Sequence, residues 1–333
     1  MAVRPFDWRD LATLHHFRNQ SVFLDSSLVL TRGPLLVSGA LVSYLAPGMG
    51  VFTAVSQADT RDERSVIGQI IHLLGSPFAQ LTFVTPQEAL NSPNLAELLE
   101  YLVAIAGGRG AFRLLAEVDD DTVTFEALRR GGFAIYSRQR IWQLTRQVKD
   151  RQRTSPWRQA TRQDALAIRL LYNNLVPGLV QQIEPFSANQ KPHGMVTQQG
   201  EDVLAYVELS YGHRGIWVHP FFHPDAQDIA ERFFDLLQTM TKRGTRPVYI
   251  CVRSYQSWLE PAIEELGAEA GPRQAVMAKH LTSLQKAART VATPALEGGH
   301  TEASASIVQS EPDFPGGIEP KLGSGLAKTQ GRS

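Results

Sequence analysis

Phe83-Val84-Thr85-Pro86 and Trp217-Val218-His219-Pro220 are two copies of one sentence in this chain. Each is a run of strand-favouring residues that ends in Val-x-Pro. Ala96-Glu97, Leu102, Arg109-Gly110 and Val118 follow the first. Ala230-Glu231, Leu236, Arg243-Gly244 and Val252 follow the second, each 134 positions further on. One inserted residue then aligns Gly132 and Arg138-Gln139 with Gly267 and Arg273-Gln274. An ordered series of matches with a single gap marks a duplicated unit.

Toward the start of the chain, Arg4, Asp10 and Asn19 recur as Arg158, Asp164 and Asn173, at an offset of 154. The longer offset means that the first copy carries extra residues between its first helix and Val84. The Gly- and Pro-containing stretch 33–50 is placed to supply them.

Both copies read as the same succession of elements. A short strand (3–5; 157–160) leads into a helix, with Asp10 or Asp164 in the first turn, where a carboxylate suits the helix dipole. Three strands follow, predicted at 50–56, 65–74 and 79–85 in the first copy and at 194–198, 203–210 and 215–219 in the second. Helices at 95–106 and 228–241 come next. Leu95, Leu98, Leu99, Leu102 and Ile105 line one face of the first, and Gly107-Gly108 and Gly244 end the two. A buried strand (113–118; 247–252), a helix (123–130; 258–266), a glycine and a last strand complete each copy. The expected organisation is a first unit at 1–146, a polar linker at 147–156, a second unit at 157–283 and a tail at 284–333. The tail, rich in Ala, Gly, Ser, Pro and Glu, buries too little surface to offset its ordering entropy and is expected to be disordered. The expected fold class is α/β (α+β), two tandem units each built on a mixed, mainly antiparallel sheet flanked by helices.

Composition narrows the partners. A formal net charge of zero over 333 residues argues against broad binding to nucleic acid or to an anionic membrane. No apolar run reaches the roughly 18 residues that span a bilayer. Cys251 is the one cysteine, so no internal disulfide forms and a reducing compartment is expected. The opening Met-Ala-Val-Arg-Pro-Phe-Asp-Trp lacks a basic-then-apolar signal pattern, which adds to the expectation of a cytoplasmic location. Self-association is left open.

The element order, the two Val-x-Pro strands and the segment Leu128-Arg-Arg-Gly-Gly-Phe133, with Ile263-Glu-Glu-Leu-Gly-Ala268 as a weaker counterpart, resemble the GNAT superfamily of N-acetyltransferases. The resemblance implies an N-acetyltransferase that moves an acetyl group from acetyl-CoA, as cosubstrate, to a small-molecule or peptide amine. In that family the fourth and fifth strands splay apart, pantetheine lies in the gap and bonds to backbone, and the pyrophosphate sits at the following helix N-terminus. Carried onto this chain, Phe83, Val84 and Thr85 become coenzyme-facing strand residues, and Asn91, Ser92 and Asn94 the coenzyme loop. The chain departs from the pattern where the family has Gln or Arg and then glycines: the first copy has Ala89, Ser92 and Asn94, and the second has His223, Ala226 and Asp228. Asp225 and Asp228 are expected to cap the second helix and to repel a pyrophosphate, which favours the first copy. The family's acid tyrosine is replaced by Leu128 and Ile263. These departures imply the alternative of a catalytically inactive relative used for ligand binding or protein association. An open cleft beside Val84 would point to the coenzyme. A gap plugged by Phe83 or Trp217 would point to the inactive relative.

Two glutamates are candidates for the base that deprotonates an amine. Glu208 lies on the third strand of the second copy and alternates with Tyr206, and Glu117 lies on the fifth strand of the first copy. A solvent-facing strand position is the competing reading for Glu208, and a strand-end position before Asp119-Asp120-Asp121 for Glu117. His219 and His223 have a spacing that suggests a metal pair, but Pro220 and Pro224 exclude the helix that would align them, so both read as turn or pocket lining. No metal site is predicted. Cys251, in an apolar strand, reads as packing.

Overall fold

The repeated Arg–Asp pairs turn out to be joints. Arg4 grips Asp10 through two hydrogen bonds of 2.7 Å, and Arg158 grips Asp164 through bonds of 2.8 and 2.6 Å. Each aspartate also accepts the N–H three residues earlier, at Asp7 or Thr161, so one carboxylate locks a strand to the helix after it. The Arg158 guanidinium is the main reason that the Asp164 carboxyl lies far below the usual range.

The computed structural model describes residues 3–57, 65–145, 156–186, 192–200, 202–240 and 244–281, which pack as one body. The expected tail and most of the expected linker lie outside them. The first repeat comprises β1 (Val3–Pro5), α1 (Leu11–His16), β2 (Val22–Phe23), α2 (Ser26–Arg32), α3 (Leu36–Leu45), β3 (Val51–Ser56), β4 (Val66–Ile71), β5 (Phe78–Thr85), α4 (Pro93–Gly108), β6 (Arg113–Asp119), α5 (Val123–Arg130) and β7 (Ala134–Leu144). The second comprises β8 (Arg158–Gln159), α6 (Ala165–Leu175), α7 (Gly178–Ile183), β9 (Gly194–Gln199), β10 (Asp202–Tyr211), β11 (Ile216–Phe222), α8 (Ile229–Thr239), β12 (Val248–Arg253), α9 (Glu260–Glu265) and β13 (Glu269–His280). The stretch 33–50, expected to supply the extra residues, contains the whole of α3, with Gly33 at φ +82° making the corner between α2 and α3. β2 was not anticipated at all.

Local signals account for the long elements. Ser92 caps α4 in an extended conformation and Pro93 occupies its first position, where a missing N–H costs nothing. Leu95, Leu98, Leu99 and Leu102 then bury against the sheet. Thr122 caps α5, and Arg129 and Arg130 close its last turn. Among the described residues no single helix is long and apolar enough to cross a membrane.

The strands form one mixed sheet in the order β1-β3-β4-β5-β6-β13-β7-β12-β11-β10-β9-β8, with β2 paired to β5. β6 and β7 do not pair, because β13 lies between them, antiparallel to both. Reciprocally, β7 pairs with β12 from Leu144↔Val248 to Gln139↔Arg253. Each repeat has given its last strand to the other. The side chains follow the backbone: Ala275 and Met277 of β13 join the core around α4, and Trp142 and Leu144 of β7 join the core around α8. The repeat-equivalent glutamines meet at the centre. Gln139 faces Gln274 in register and donates to it at 3.0 Å, and Gln274 donates on to Asp119 at 3.0 Å. The Cys251 thiol donates to Gln139 at 3.3 Å, and burial pushes its pKa up to about 12.

This interleaving is testable by cutting the chain. A protease site placed within 147–156 and cleaved is expected to give two fragments that still elute together on size exclusion at about 1 μM, since parting them must unpair β13 from β6 and β7 from β12. Separate elution of folded fragments would contradict the exchange.

Candidate functional site

In each lobe two parallel strands begin together and then part. β5 and β6 pair only from Phe78↔Arg113 to Gln80↔Leu115, and β11 and β12 only from Ile216↔Val248 to Val218↔Ile250. Beyond those points each pair leaves a wedge-shaped gap whose edges carry backbone groups that need partners.

In the first lobe the chain itself fills the wedge. Val22 and Phe23 pair antiparallel with Val84 and Phe83 of β5, and the Leu24 N–H donates to Thr82 O at 2.9 Å. The Leu24 carbonyl then accepts from the Glu117 N–H of β6 and from Gln80 Nε2, each at 2.9 Å. One peptide thus bridges both sides of the gap. The Ser26 N–H donates to the Glu117 carboxylate at 2.9 Å, and Asp25 caps α2 by accepting from the Leu28 N–H at 2.9 Å. The far end of α2 is held by the second repeat, where the Arg214 N–H donates to Thr31 O at 2.9 Å. The β10–β11 hairpin approaches so closely that a Cβ on Gly212 would lie 2.1 Å from that same oxygen. Burial, and then the nearby Glu117 charge, push the Asp25 carboxyl up to about 7.

The expected coenzyme residues are therefore engaged inside the protein. Phe83 and Val84 are buried and paired with β2. The Thr85 hydroxyl donates to Phe17 O at 3.1 Å. Asn91 accepts from Arg130 at 2.5 Å, Ser92 accepts from the Asn94 N–H at 3.1 Å, and Asn94 is buried. Val84 is buried beneath this segment, and the plug is main chain from 22–24 rather than the Phe83 side chain. Glu117, expected as a possible base, accepts from the Ser26 N–H of that plug.

In the second lobe one side chain does the same work. Gln256, fully buried in the turn after β12, accepts from the Phe222 N–H at 3.0 Å and donates to Pro220 O at 2.9 Å. Those are the groups on the open edge of β11. Trp217 is not the plug. Asp228 adopts φ +55° and makes no cap, in contrast to expectation, because a left-handed residue does not present its side chain to the first-turn N–H groups. The Asp225 side chain is 87% exposed.

Beside this second gap lies a cavity of about 500 Å³. Glu208 of β10 stands on its surface, directly across the ladder from His219 of β11. It is open to the cavity yet ringed by protein, and it has no hydrogen-bond or ion-pair partner among the described residues. That crowding, with the Glu184 charge behind it, holds its carboxyl above the usual range. His219 is pushed down to about 3, first by burial and then by Arg253, so it is neutral, and its Nε2 has no partner among the described residues. Glu184 is already neutralised. It accepts from Arg253 at 3.0 and 3.1 Å and from the hydroxyl of Tyr136, which β7 of the other repeat supplies. The walls are aromatic: Tyr172, Phe186, Tyr206, Phe221 and Tyr255, with Tyr206 stacked on Phe221 at 6.1 Å and edge-on to Phe186 at 6.4 Å. Residues 73–78 of the first repeat close one side. An uncompensated carboxylate beside an unpartnered neutral imidazole nitrogen, enclosed by rings, suits a cation that carries hydrogen-bond donors.

Glu208 and Glu117 thus end in different cavities. Sequence reasoning missed Glu184, Arg253 and Gln256. Arg253 left a trace, a charge at the end of the apolar run 248–252, while Glu184 and Gln256 sit in segments without a distinctive pattern.

No protein-family model matches the sequence, and no curated protein matches it. Solved structures similar to it include a GCN5-related N-acetyltransferase from Sphaerobacter thermophilus, at 10% identity over 84% of this chain and 95% of that one, with a TM-score of 0.48. A tandem GNAT protein from the clavulanic acid biosynthesis pathway has 12% identity over 84% and 98%, with a TM-score of 0.48. A GNAT-family acetyltransferase from Colwellia psychrerythraea has 11% identity over 85% and 100%, with a TM-score of 0.42. The chemistry of the two gaps is read from their own hydrogen bonds.

Two stability measurements follow from these charges. Arg253→Met leaves the Glu184 carboxylate without its cation and is expected to cost about 3 kcal/mol in urea denaturation, with Glu184→Gln on top recovering part of the loss. An unchanged midpoint would show that the pair carries no structural weight. For Asp25 the folded state keeps a proton that the unfolded chain has released between about pH 4 and pH 7, so this group lowers stability as pH rises through that window. Asp25→Asn keeps a capping oxygen and removes the charge. Relative to the parent it is expected to gain about 4 kcal/mol between pH 4 and pH 8. A pH-independent difference would contradict a protonated Asp25.

Proposed function

We propose that this chain is a catalytically inactive relative of the N-acetyltransferases, kept for ligand binding, with an amine held in the second-lobe cavity at Glu208. One observation carries the reading: the edges of both strand gaps are already hydrogen-bonded to the chain's own groups. A pantetheine arm in the first gap would compete with Val22–Leu24 for Thr82 and Val84. Displacing that segment breaks several hydrogen bonds of about 1 kcal/mol each and exposes the fully buried Leu24, worth about 2 kcal/mol more, while α2 stays pinned by the β10–β11 hairpin. The loops that would meet a pyrophosphate carry Asn91, Ser92 and Asn94 in one lobe and the carboxylates Asp225 and Asp228 in the other, with no glycine for close backbone approach. The residues present do not fit acetyl-CoA.

A second reading, acetyl transfer to an amine, is favoured by one feature of the second lobe. Its gap is closed by a single side chain, so rotation of Gln256 breaks only two hydrogen bonds and frees Pro220 O and Phe222 N–H. In that reading Glu208, with its raised pKa, is the group that takes a proton from the bound ammonium.

Calorimetric titration of acetyl-CoA into the full chain separates the two. No binding is expected up to about 1 mM coenzyme. A micromolar dissociation constant, changed by Gln256→Ala, would overturn the inactive reading and place the coenzyme in the second lobe.

A further inference from the structure

A larger cavity, of about 920 Å³, opens where the two repeats meet. It does not involve Glu208. Its apolar walls come from both repeats: Phe23 and Leu30 from β2 and α2, Ile141 from β7, and Tyr249 from β12. Strand exchange brings these elements together, and the irregular start of β13 at 269–272 lines the same space. The β13–β7 register shifts between Ala270 and Arg273, across Gly271-Pro272, where proline has no N–H for the ladder.

The charge on this cavity has one sign. Glu117, Asp119, Asp121 and Glu269 line it, and among the described residues no Lys, Arg or His does. In a chain whose net charge is zero, that is a local excess of negative charge over an apolar floor. Glu117 and Asp119 are fixed by Ser26 and Gln274, at 2.9 and 3.0 Å, whereas Asp121 and Glu269 are exposed at the rim. Behind Glu117, burial and then the Glu117 charge push the Asp25 carboxyl up to about 7, with Arg32 of α2 only partly opposing them. Phosphate-bearing and carboxylate ligands are repelled from such a surface. A bare metal ion does not suit it either, because among the described residues no three acidic, His or Cys groups converge closely enough to hold one. The remaining complement is a cation whose charge sits on an extended apolar body.

We propose that this inter-repeat cavity is a binding site for a small organic cation, with its aliphatic or aromatic body against Phe23, Leu30, Ile141 and Tyr249 and its ammonium among the four carboxylates. The volume suits a ligand of ordinary metabolite or drug size. The site belongs to neither repeat alone, and it stands whether or not the chain transfers acetyl groups.

The test uses the full chain carrying Glu208→Gln, which removes the carboxylate of the second-lobe cavity. 4-Phenylbutylamine is titrated calorimetrically, beside 4-phenylbutanol, which has the same body without the charge. The amine is expected to bind at least about tenfold more tightly than the alcohol. Asp121→Asn with Glu269→Gln is expected to weaken the amine about tenfold, and Ala270→Trp, which fills the cavity, to abolish binding. All three positions are exposed, so each variant is expected to melt with the parent. Equal binding of amine and alcohol, an undiminished affinity in the charge variant, or no binding of the amine at about 10 mM would each overturn the proposal.

Discussion

The structure depends on the insertion of β13 between β6 and β7. The order of the central strands, β6-β13-β7-β12, closes two lobes with each other's last strand, so neither half-sheet is complete alone. At its middle the buried amide of Gln139 donates to the half-buried amide of Gln274, and their neighbours Asp119 and Cys251 complete a polar chain. Such a network tolerates no slip of register, because a one-residue shift would leave buried donors without acceptors. It also fixes where the two cavities lie. Tyr136, carried on the exchanged β7, reaches Glu184 in the second lobe, and the irregular start of the exchanged β13 lines the space beside Glu117.

The duplication has been used asymmetrically. Both lobes keep the parting of two parallel strands, and both close it with the chain's own hydrogen bonds, but by different means. The first spends a whole segment, Val22–Ser26, anchored at one end by Glu117 and at the other by the second repeat. The second uses Gln256 alone, and keeps beside it a pocket whose ionisable groups are arranged in depth: Arg253 neutralises Glu184, and Glu208 and the neutral His219 are left facing the space. A carboxylate held above its usual range thus faces the same space as an imidazole held far below its own.

Much of this was legible in the sequence. The repeat was readable because Val-x-Pro, the helix-ending glycines and the Arg–Asp joints all answer to local backbone or capping requirements that both copies must meet. The placement of Glu208 on the third strand of its copy followed from the strand-favouring run 203–210. What stayed hidden is what depends on partners far along the chain. Val22-Phe23 is too short to announce itself as a strand, and it becomes one only because β5 offers an open edge 60 residues later. The same limit explains why the coenzyme residues expected at Phe83, Val84 and Thr85 proved to be filled positions: a strand that can receive a ligand and a strand that has received its own chain read alike. Strand exchange is equally silent, since a last strand has the same pattern whichever sheet it completes. Asp228 was read as a cap from its residue type, and its left-handed backbone withdrew the side chain.

The central claim is that the gap edges are occupied by the protein itself, and amide hydrogen exchange reads those edges directly. The N–H groups of Leu24, Glu117 and Phe222 each donate across a gap. The account predicts that all three exchange slowly in the free chain and that about 1 mM acetyl-CoA leaves their rates unchanged. Rapid exchange at Leu24 and Glu117 in the free chain, or a change at any of the three on adding the coenzyme, would contradict it.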